Sequence, residues 1–172
     1  KTNHEVIDID TVKKIVVVKD LINDKVFNES YDKLILSPGA KPILPSFYKK
    51  SERVFTLRTI EDTNRIKSYI NSNNVCNAVV IGGGYVGIEM AENLINLGIS
   101  VDLVEANNQV LSILDKDMVS FVHSTLRKNG VKLHLNSNVE SLREVGNQIL
   151  VNLNKEELIT DIVIVAVGVT PD

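Results

Sequence analysis

The sequence of 172 residues predicts an α/β fold, in which a parallel sheet alternates with helices and carries an antiparallel insert. A short continuous apolar run at residues 78–81 is typical of a strand buried on both faces of a parallel sheet. Helical and strand patterns then alternate as far as residue 135, as in consecutive βαβ units. Two strand-like runs at residues 142–145 and 149–153 predict a hairpin, which is the antiparallel insert.

The first 45 residues are predicted to be sheet. Alternating or continuous apolar positions predict strands at residues 4–10, 14–19 and 31–36. Three prolines and a glycine in residues 37–45 then predict a connector that ends strand and helix alike. So small a sheet is not stable alone in water, so we expect it to pack on other sequence.

The rest of the chain is predicted to begin with a helix at residues 59–71, capped by Thr59. The later elements follow the same start and stop rules, with Gly98 and Gly130 closing the second and third helices. These elements are a strand at 78–81, a helix at 86–97, a strand at 100–105, a helix at 115–129, a strand at 131–135, the hairpin, and a last buried strand at 162–167.

Composition and charge narrow the function classes. The chain is 44% hydrophobic with a net charge of −3 and scattered basic residues, which argues against a nucleic-acid partner. No apolar run approaches the roughly 20 residues of a membrane span, so we expect a cytoplasmic protein without a membrane partner. The single cysteine, Cys76, excludes an internal disulfide and is predicted to be a half-buried filler. His4, His123 and His134 have no partners at metal-ligand spacing, so no metal site is predicted.

The strongest motif is Gly82-Gly83-Gly84-Tyr85-Val86-Gly87, which reads G-x-G-x-x-G between a strand and a helix. In a Rossmann-type fold Gly82 allows the sharp turn, Gly84 lets a pyrophosphate approach the backbone, and Gly87 lets the helix press onto the strand. The helix N-terminus offers free N–H groups to the phosphates. The alternative is a glycine-rich turn that binds nothing.

Glu105 ends the second strand of this unit, where an acid can accept hydrogen bonds from the adenosine ribose. A carboxylate would also repel a 2′-phosphate, and residues 105–108 (EANN) include no Arg or Lys to bind one. The sequence therefore favours NAD(H) over NADP(H). The alternative interpretation of Glu105 is a solvent-facing strand end.

Four motifs in order resemble the FAD-dependent pyridine nucleotide-disulfide oxidoreductases, in the branch of NADH oxidases, NADH peroxidases and CoA-disulfide reductases. The motifs are YDKLILSPGAKP, FTLRTIEDTNRI, GGGYVGIEMAENL with VDLVEANNQVL, and DIVIVAVGVTPD. The resemblance implies that residues 1–45 are the β-rich last part of an FAD-binding domain, 46–74 a connecting segment with a helix, and 75–172 the NAD-binding domain. The redox cysteine would precede this chain and a dimerisation domain would follow it, so the chain is interpreted as an internal piece without catalytic residues of its own.

The resemblance also implies roles for single residues. Tyr85 matches an aromatic that covers the flavin and moves aside for nicotinamide, Glu89 an acid that faces both rings, and Gly168 a border of the nicotinamide pocket. Space filling by Tyr85, and a helix-dipole partner for Glu89, are the alternatives. Three residues would approach FAD in the full enzyme: Ser37, Gly39 and Ala40.

The implied function is hydride transfer from NADH to flavin, and then electron transfer to a cysteine or disulfide, or to oxygen, in a homodimer with its own FAD and dimerisation domains. The fragment alone is expected to be inactive. A non-catalytic NAD-binding sensor module is the main alternative, but residues 1–45 form no complete second domain. A stand-alone dehydrogenase ranks last, because the chain lacks a Tyr-x-x-x-Lys or His-acid pair to move a proton.

Overall fold

The computed structural model describes residues 1–172 and divides into two compact units, Lys1–Pro38 and Gly39–Asp172. The first unit is a three-stranded antiparallel sheet in the order β1-β2-β3, whose strands are β1 (His4–Asp10), β2 (Ile15–Asp20) and β3 (Lys25–Ser30). At each hairpin the aspartate that ends the strand, Asp10 or Asp20, accepts the N–H groups two and three residues on, at 2.8 to 3.2 Å.

The strand predicted at residues 31–36 is wrong, because the third strand is β3 at Lys25–Ser30. The Asp20 turn reverses the chain at once, so β3 pairs with β2 from Asp20↔Lys25 to Ile15↔Ser30. No strand partner remains for residues 31–36, and Ile35 there is 88% exposed. An apolar run becomes a strand only where another strand takes up its N–H and C=O groups.

The second unit is built on a five-stranded parallel sheet with three helices. Its strands are β5 (Val54–Thr56), β6 (Asn77–Ile81), β7 (Ser100–Val104), β8 (Lys132–His134) and β12 (Ile162–Val165). They lie in the order β5-β12-β6-β7-β8. The helices are α1 (Ile60–Ser72), α2 (Tyr85–Asn96) and α3 (Lys116–Lys128).

Two smaller antiparallel sheets complete the second unit. The predicted insert is a three-stranded sheet in the order β11-β10-β9, made of β9 (Val139–Val145), β10 (Gln148–Leu153) and β11 (Glu157–Thr160). A short pair joins β4 (Ala40–Pro42) to β13 (Val169–Pro171). Strand β4 corrects the prediction that residues 37–45 form no strand: Pro42 and Ala40 lie at its ends, and Lys41 between them pairs with Thr170.

The predicted βαβ order is confirmed, as are the residues predicted to cap or close the helices. Thr59 caps α1 in a capping box: its hydroxyl accepts the Asp62 N–H at 3.2 Å and its own N–H donates to the Asp62 carboxylate at 3.0 Å. Gly98 and Gly130 follow α2 and α3 with φ of +80° and +87°, a conformation that favours glycine. No helix combines the length and apolarity needed to cross a membrane.

The parallel sheet is buried on both faces, which explains the continuous apolar run of β6. Ala78 and Val80 pack into the core on the helix side, with Leu94 of α2 and Val119 of α3. Their neighbours along β6 face the other way, into the core beneath the antiparallel insert. Because side chains alternate along a strand, both core layers draw on this one run.

An ion cluster joins the parallel sheet to the antiparallel insert. His134 Nε2 lies 2.6 Å from Asp102 Oδ1 on the adjacent strand, and its Nδ1 lies 2.7 Å from Glu156 Oε1 beside β11. The hydrogen bond with Asp102 raises the pKa of His134 most, Glu156 adds to it, and partial burial opposes both. The imidazolium donates from both ring nitrogens, so it satisfies both carboxylates.

His134 makes the stability of the chain depend on pH. Because its folded pKa is raised above the ordinary 6.5, its contribution is fully present below pH 6.5 and is lost as pH rises through the folded pKa. We expect the free energy of unfolding of the wild type, measured with urea from pH 5.5 to 8.5, to fall toward alkaline pH relative to His134→Gln. Parallel curves for the two proteins would show that the cluster contributes no proton-linked stability.

Candidate functional site

An open cleft of about 370 Å³ lies at the carboxyl ends of the parallel strands. It lies where β6 is flanked by β12 on one side and β7 on the other, which is the point where the strand order reverses. Ligands of open α/β sheets bind at this point. The lining residues are Pro42, Leu57, Gly82 to Val86, Glu105, Asn107, Ser112 and Val165 to Val169.

Three of the glycines that follow β6 are required by packing. A Cβ on Gly82, whose φ is +110°, would collide with the Ala166 carbonyl, and one on Gly87 would collide with the carbonyl oxygen of Gly82. A Cβ on Gly83 would lie 2.8 Å from Val110 Cγ1 and 3.0 Å from Glu105 Oε2. These contacts let the chain turn sharply and let α2 lie directly against β6.

Gly84 differs from the other three glycines. Its φ is −77°, and a Cβ there would meet nothing within 4 Å. Neither conformation nor packing within the protein therefore requires glycine at this position. The open space lies in the cleft, at the N-cap of α2, where no side chain caps the free N–H groups. This is the arrangement that a phosphate needs to reach the backbone.

Glu105 forms one side of the cleft in a fixed orientation. Its Oε2 accepts the Gly83 N–H at 2.7 Å, and its Oε1 accepts the Asn107 backbone N–H at 2.8 Å and the Asn107 side-chain amide at 2.7 Å. A carboxylate has about four acceptor positions, so capacity remains for further donors. Glu105 can therefore accept hydroxyl donors without losing its anchors.

The opposite side of the cleft is formed by the chain that leaves β12. Gly168 has a φ of +114°, and its carbonyl accepts the Ile43 N–H at 3.0 Å. Val169 then pairs with Pro42 at the start of the β13·β4 pair. This wall is apolar and largely backbone, so it can border a flat ring without competing charges.

Comparison with known proteins identifies the family. The family model described as pyridine nucleotide-disulphide oxidoreductase matches residues 1–172. The chain belongs to this family. The match includes residues 1–45 and the sheet with its cleft, in agreement with the resemblance that the motifs carry.

The relatives are oxidoreductases of this family. The chain is 37% identical over 172 residues to coenzyme A disulfide reductase of Staphylococcus aureus, covering 100% of this chain and 38% of that protein. The crystal structure of reduced Bacillus anthracis CoADR-RHD matches with 42% identity and a TM-score of 0.85, covering 98% of this chain and 30% of that one.

A third relative is the water-forming NADH oxidase of Lactobacillus brevis bound to NADH. It matches with 32% identity and a TM-score of 0.83, over 99% of this chain and 38% of that one. Its engineered NADPH-oxidase form, bound to NADPH, matches with 30% identity and a TM-score of 0.84 over the same shares. The chain thus spans less than two fifths of the length of these relatives.

The cleft brings together most of the residues predicted to bind a dinucleotide. Six of them lie at the glycine turn or on the walls: Gly82, Gly84, Tyr85, Gly87, Glu105 and Gly168. Tyr85 is 64% exposed. Glu89 is exposed on α2 and does not line the cleft.

The predicted FAD contacts lie outside this cleft. Ala40 pairs with Pro171, and the Gly39 carbonyl accepts the Asp172 N–H at 3.2 Å. Ser37 is an exposed residue near the end of the first unit.

Sequence reasoning missed several residues of the site. Gly83 is buried and donates to Glu105, and the run of three consecutive glycines, of which it is the middle one, was a usable signal for it. Asn107, two residues after Glu105, carries a polar amide that could also have been considered. Leu57 and Ser112 gave no signal, because their place in the cleft depends on tertiary packing.

The cysteine and histidine predictions need correction. Cys76 is exposed rather than half-buried, since it precedes β6 at the amino end of the strand and its N–H donates to Asp161 at 2.9 Å. His134 does have acidic partners: the parallel pairing of β7 and β8 supplies Asp102, and the antiparallel insert supplies Glu156. No group of three or more His, Cys, Asp or Glu side chains is placed to hold a metal ion.

The difference between Gly84 and Gly87 predicts unequal tolerance to alanine. Gly87→Ala forces its Cβ against the Gly82 carbonyl, so we expect it to destabilise the chain by about 1–3 kcal/mol, as overpacked sites do. Gly84→Ala places its methyl group in open space and should change the free energy of unfolding by less than about 0.5 kcal/mol. Urea denaturation of the two variants beside the wild type measures the difference. Equal midpoints would contradict the tight contact between α2 and the turn.

Proposed function

We propose that the chain is the NAD(H)-binding part of an FAD-dependent oxidoreductase that passes hydride from NADH to flavin and on to a cysteine or disulfide, or to oxygen. The observation that carries the proposal is Gly84, whose missing side chain leaves open space at the N-terminus of α2, with Glu105 bonded to the same turn at one side of the cleft. Membership of the family, and a relative bound to NADH, support it.

The residues of the cleft fit a dinucleotide. The pyrophosphate would lie over Gly84, where the first N–H groups of α2 and the positive end of the helix dipole stabilise its charge. Gly82 and Gly87 shape this surface through their close contacts with the protein backbone. The adenosine ribose would donate its hydroxyls to Glu105.

The nicotinamide half would extend along the other wall of the cleft. Gly168 would border the ring, and exposed Tyr85 would cover the flavin and move aside when nicotinamide arrives. Glu89 would face both rings in the longer protein. Ser37, Gly39 and Ala40 would approach FAD; Gly39, with a φ of +89° and no atom within 4 Å of a Cβ, leaves its backbone open to such a ligand.

When bound, NADH supplies a hydride and the flavin of FAD accepts it. The chain's own residues bind and orient: the glycine turn anchors the phosphates, Glu105 fixes the ribose, and the wall at Val165 to Val169 limits the position of the ring. Such anchoring at distant groups is how a protein brings reacting atoms to a productive distance. This role requires no proton transfer by the residues of the cleft.

Glu105 supports NADH over NADPH as the nucleotide. Its carboxylate would repel a 2′-phosphate, and the neighbouring Ala106 and Asn107 carry no positive charge. In the engineered oxidase bound to NADPH, a glycine is changed to alanine, and eighteen residues further along an aspartate is changed to alanine and the next alanine to arginine. The same spacing separates Gly87 from Glu105 and Ala106 here.

The acceptor of the electrons depends on the longer protein. The curated relatives are CoA disulfide reductases and one structural relative is a water-forming NADH oxidase, so both classes of acceptor belong to the proposal. We propose that the longer protein supplies the redox cysteine and dimerisation domain and acts as a cytoplasmic homodimer. The family match over residues 1–45 favours this function over a sensor module.

Removing the Glu105 carboxylate should narrow the preference for NADH. Titration of the chain with NADH and NADPH, followed by nucleotide fluorescence, should give tighter NADH binding in the wild type. In Glu105→Ala we expect NADH to bind about tenfold more weakly, as after loss of a hydrogen bond to a charged group. NADPH should lose less affinity, because it shares only the effect of leaving the Gly83 N–H without its acceptor. Glu92→Ala, which removes an exposed acid on α2, is the matched control. Unchanged discrimination in Glu105→Ala would remove this residue from the ribose role.

Filling the space at Gly84 should weaken NADH binding while leaving the fold intact. The extended backbone of this residue, with φ −77° and ψ −176°, accommodates valine, and the branched side chain would project into the proposed pyrophosphate position. We expect Gly84→Val to keep the wild-type circular dichroism spectrum and to bind NADH at least tenfold more weakly, roughly the loss of a charge-assisted hydrogen bond. Retained affinity would place the dinucleotide elsewhere.

A further inference from the structure

The loop between β7 and α3 forms the Glu105 side of the cleft. Three of its residues line the cleft: Glu105, Asn107 and Ser112. The loop is tied to the glycine turn by two hydrogen bonds, from the Gly83 N–H to Glu105 at 2.7 Å and from the Leu111 N–H to the Gly83 carbonyl at 2.8 Å. Any displacement of this loop therefore moves the residues that face the cleft.

The backbone of the loop is strained at Leu111. Its φ is +46°, in the left-handed region that side chains other than glycine rarely adopt. Val110 just before it is 0% exposed and fills the space beside Gly83. Such a conformation persists only where the surroundings hold it on several sides. The Leu111 hydrogen bond supplies one of these restraints.

The second restraint comes from His123 on α3. Its Nε2 accepts the Val110 N–H at 3.2 Å, one residue before the strained position. If this nitrogen were removed or protonated, the Val110 N–H would lose its acceptor. Because Val110 is fully buried, water could not replace that acceptor. The hydrogen bond requires the neutral imidazole with its proton on Nδ1, since only the neutral ring has an acceptor nitrogen.

The surroundings of His123 favour this neutral form. Burial lowers its pKa most, and the positive charge of Arg127, one turn further along α3, lowers it further. The loop residue that it contacts, Val110, is uncharged. Glu105 of that loop is already engaged by Gly83 and Asn107.

We propose that His123 is a positioning residue of the dinucleotide cleft, which holds the loop in its binding shape by accepting the Val110 N–H. The role rests on the proposed function, because the loop residues that it positions are those that would face the adenosine half of NADH. Without this acceptor the strained loop leaves its binding shape for part of the time. The apparent affinity then falls in proportion to the fraction of molecules that keep the binding shape. Acid has the same effect, because the imidazolium cannot accept.

The test uses ADP-ribose, which keeps the pyrophosphate and adenosine ribose and, unlike NADH, is stable in mild acid. Its dissociation constant is measured by calorimetry on the 172-residue chain and on two variants. His123→Leu removes the acceptor at similar volume, whereas His123→Gln keeps an acceptor oxygen that does not titrate. At pH 8 we expect about fivefold weaker binding in the leucine variant, the typical effect of one hydrogen bond, and near wild-type binding in the glutamine variant.

The pH profile separates positioning from a general loss of structure. Below pH 6.5 the wild type should lose affinity relative to His123→Gln, since only the wild type can protonate at this position. His134→Gln, which removes the other histidine of this unit, on β8, should keep the wild-type profile. If His123→Leu does not fold, the comparison of the wild type with His123→Gln still decides the question.

Equal dissociation constants for all three proteins at pH 8 would overturn the positioning role. It would also be overturned if His123→Gln binds ADP-ribose as weakly as His123→Leu. If His123→Leu does not fold, parallel pH profiles for the wild type and His123→Gln would overturn it. A wild type that binds no ADP-ribose at pH 8 would instead refute the proposed function itself.

Discussion

The close approach of backbone to backbone at the glycine turn is the constraint on which the rest of the second unit depends. Helix α2 can begin directly after β6 only because Gly87 presents no side chain to the Gly82 carbonyl. Gly82 in turn passes beside the Ala166 carbonyl at the end of β12. Together these contacts point the N-terminus of α2 at the place where the strand order reverses. The positive end of the helix dipole therefore lies at the cleft.

The close approach at the glycine turn requires that β6 does not shift. Burial of the parallel sheet on both faces holds this strand in place. Adjacent residues of β6 are anchored in different core layers, Val80 against the helices and Val79 beneath the antiparallel insert. A strand held from both sides has little freedom to shift its carboxyl end. The cleft residues that follow β6 and β12 are therefore held at a fixed spacing by the packed sheet.

The sequence predicted well what depends on neighbours along the chain. The glycine turn, Thr59 as a helix cap and Glu105 at a strand end are local patterns with local physical causes. Strand β5 was missed because it has only three residues and its partner, β12, lies far away in the chain. Residues 25–30 and 31–36 are both strand-like, and only the immediate turn at Asp20 selects the first.

Side-chain partnerships between elements were beyond sequence reasoning for the same reason. His134 is bonded to Asp102, 32 residues away, and His123 to the Val110 backbone, which has no sequence signature at all. The hydrophobic periodicity places each residue on an element, but the register of parallel strands and the path of a loop decide which polar atoms meet. The sequence therefore indicates neither of these hydrogen-bond partners.

The two ends of the cleft depend on different kinds of residue. At the end proposed to bind phosphate the surface is backbone, exposed because a side chain is missing at Gly84. At the end proposed to bind the ribose it is one carboxylate, and its two oxygens are already bonded to the turn and to Asn107. Replacing Glu105 alone would leave the buried Gly83 N–H without its acceptor. If the cleft binds a dinucleotide as proposed, the choice of nucleotide is a property of the turn and the following loop together, because Glu105 is bonded to both.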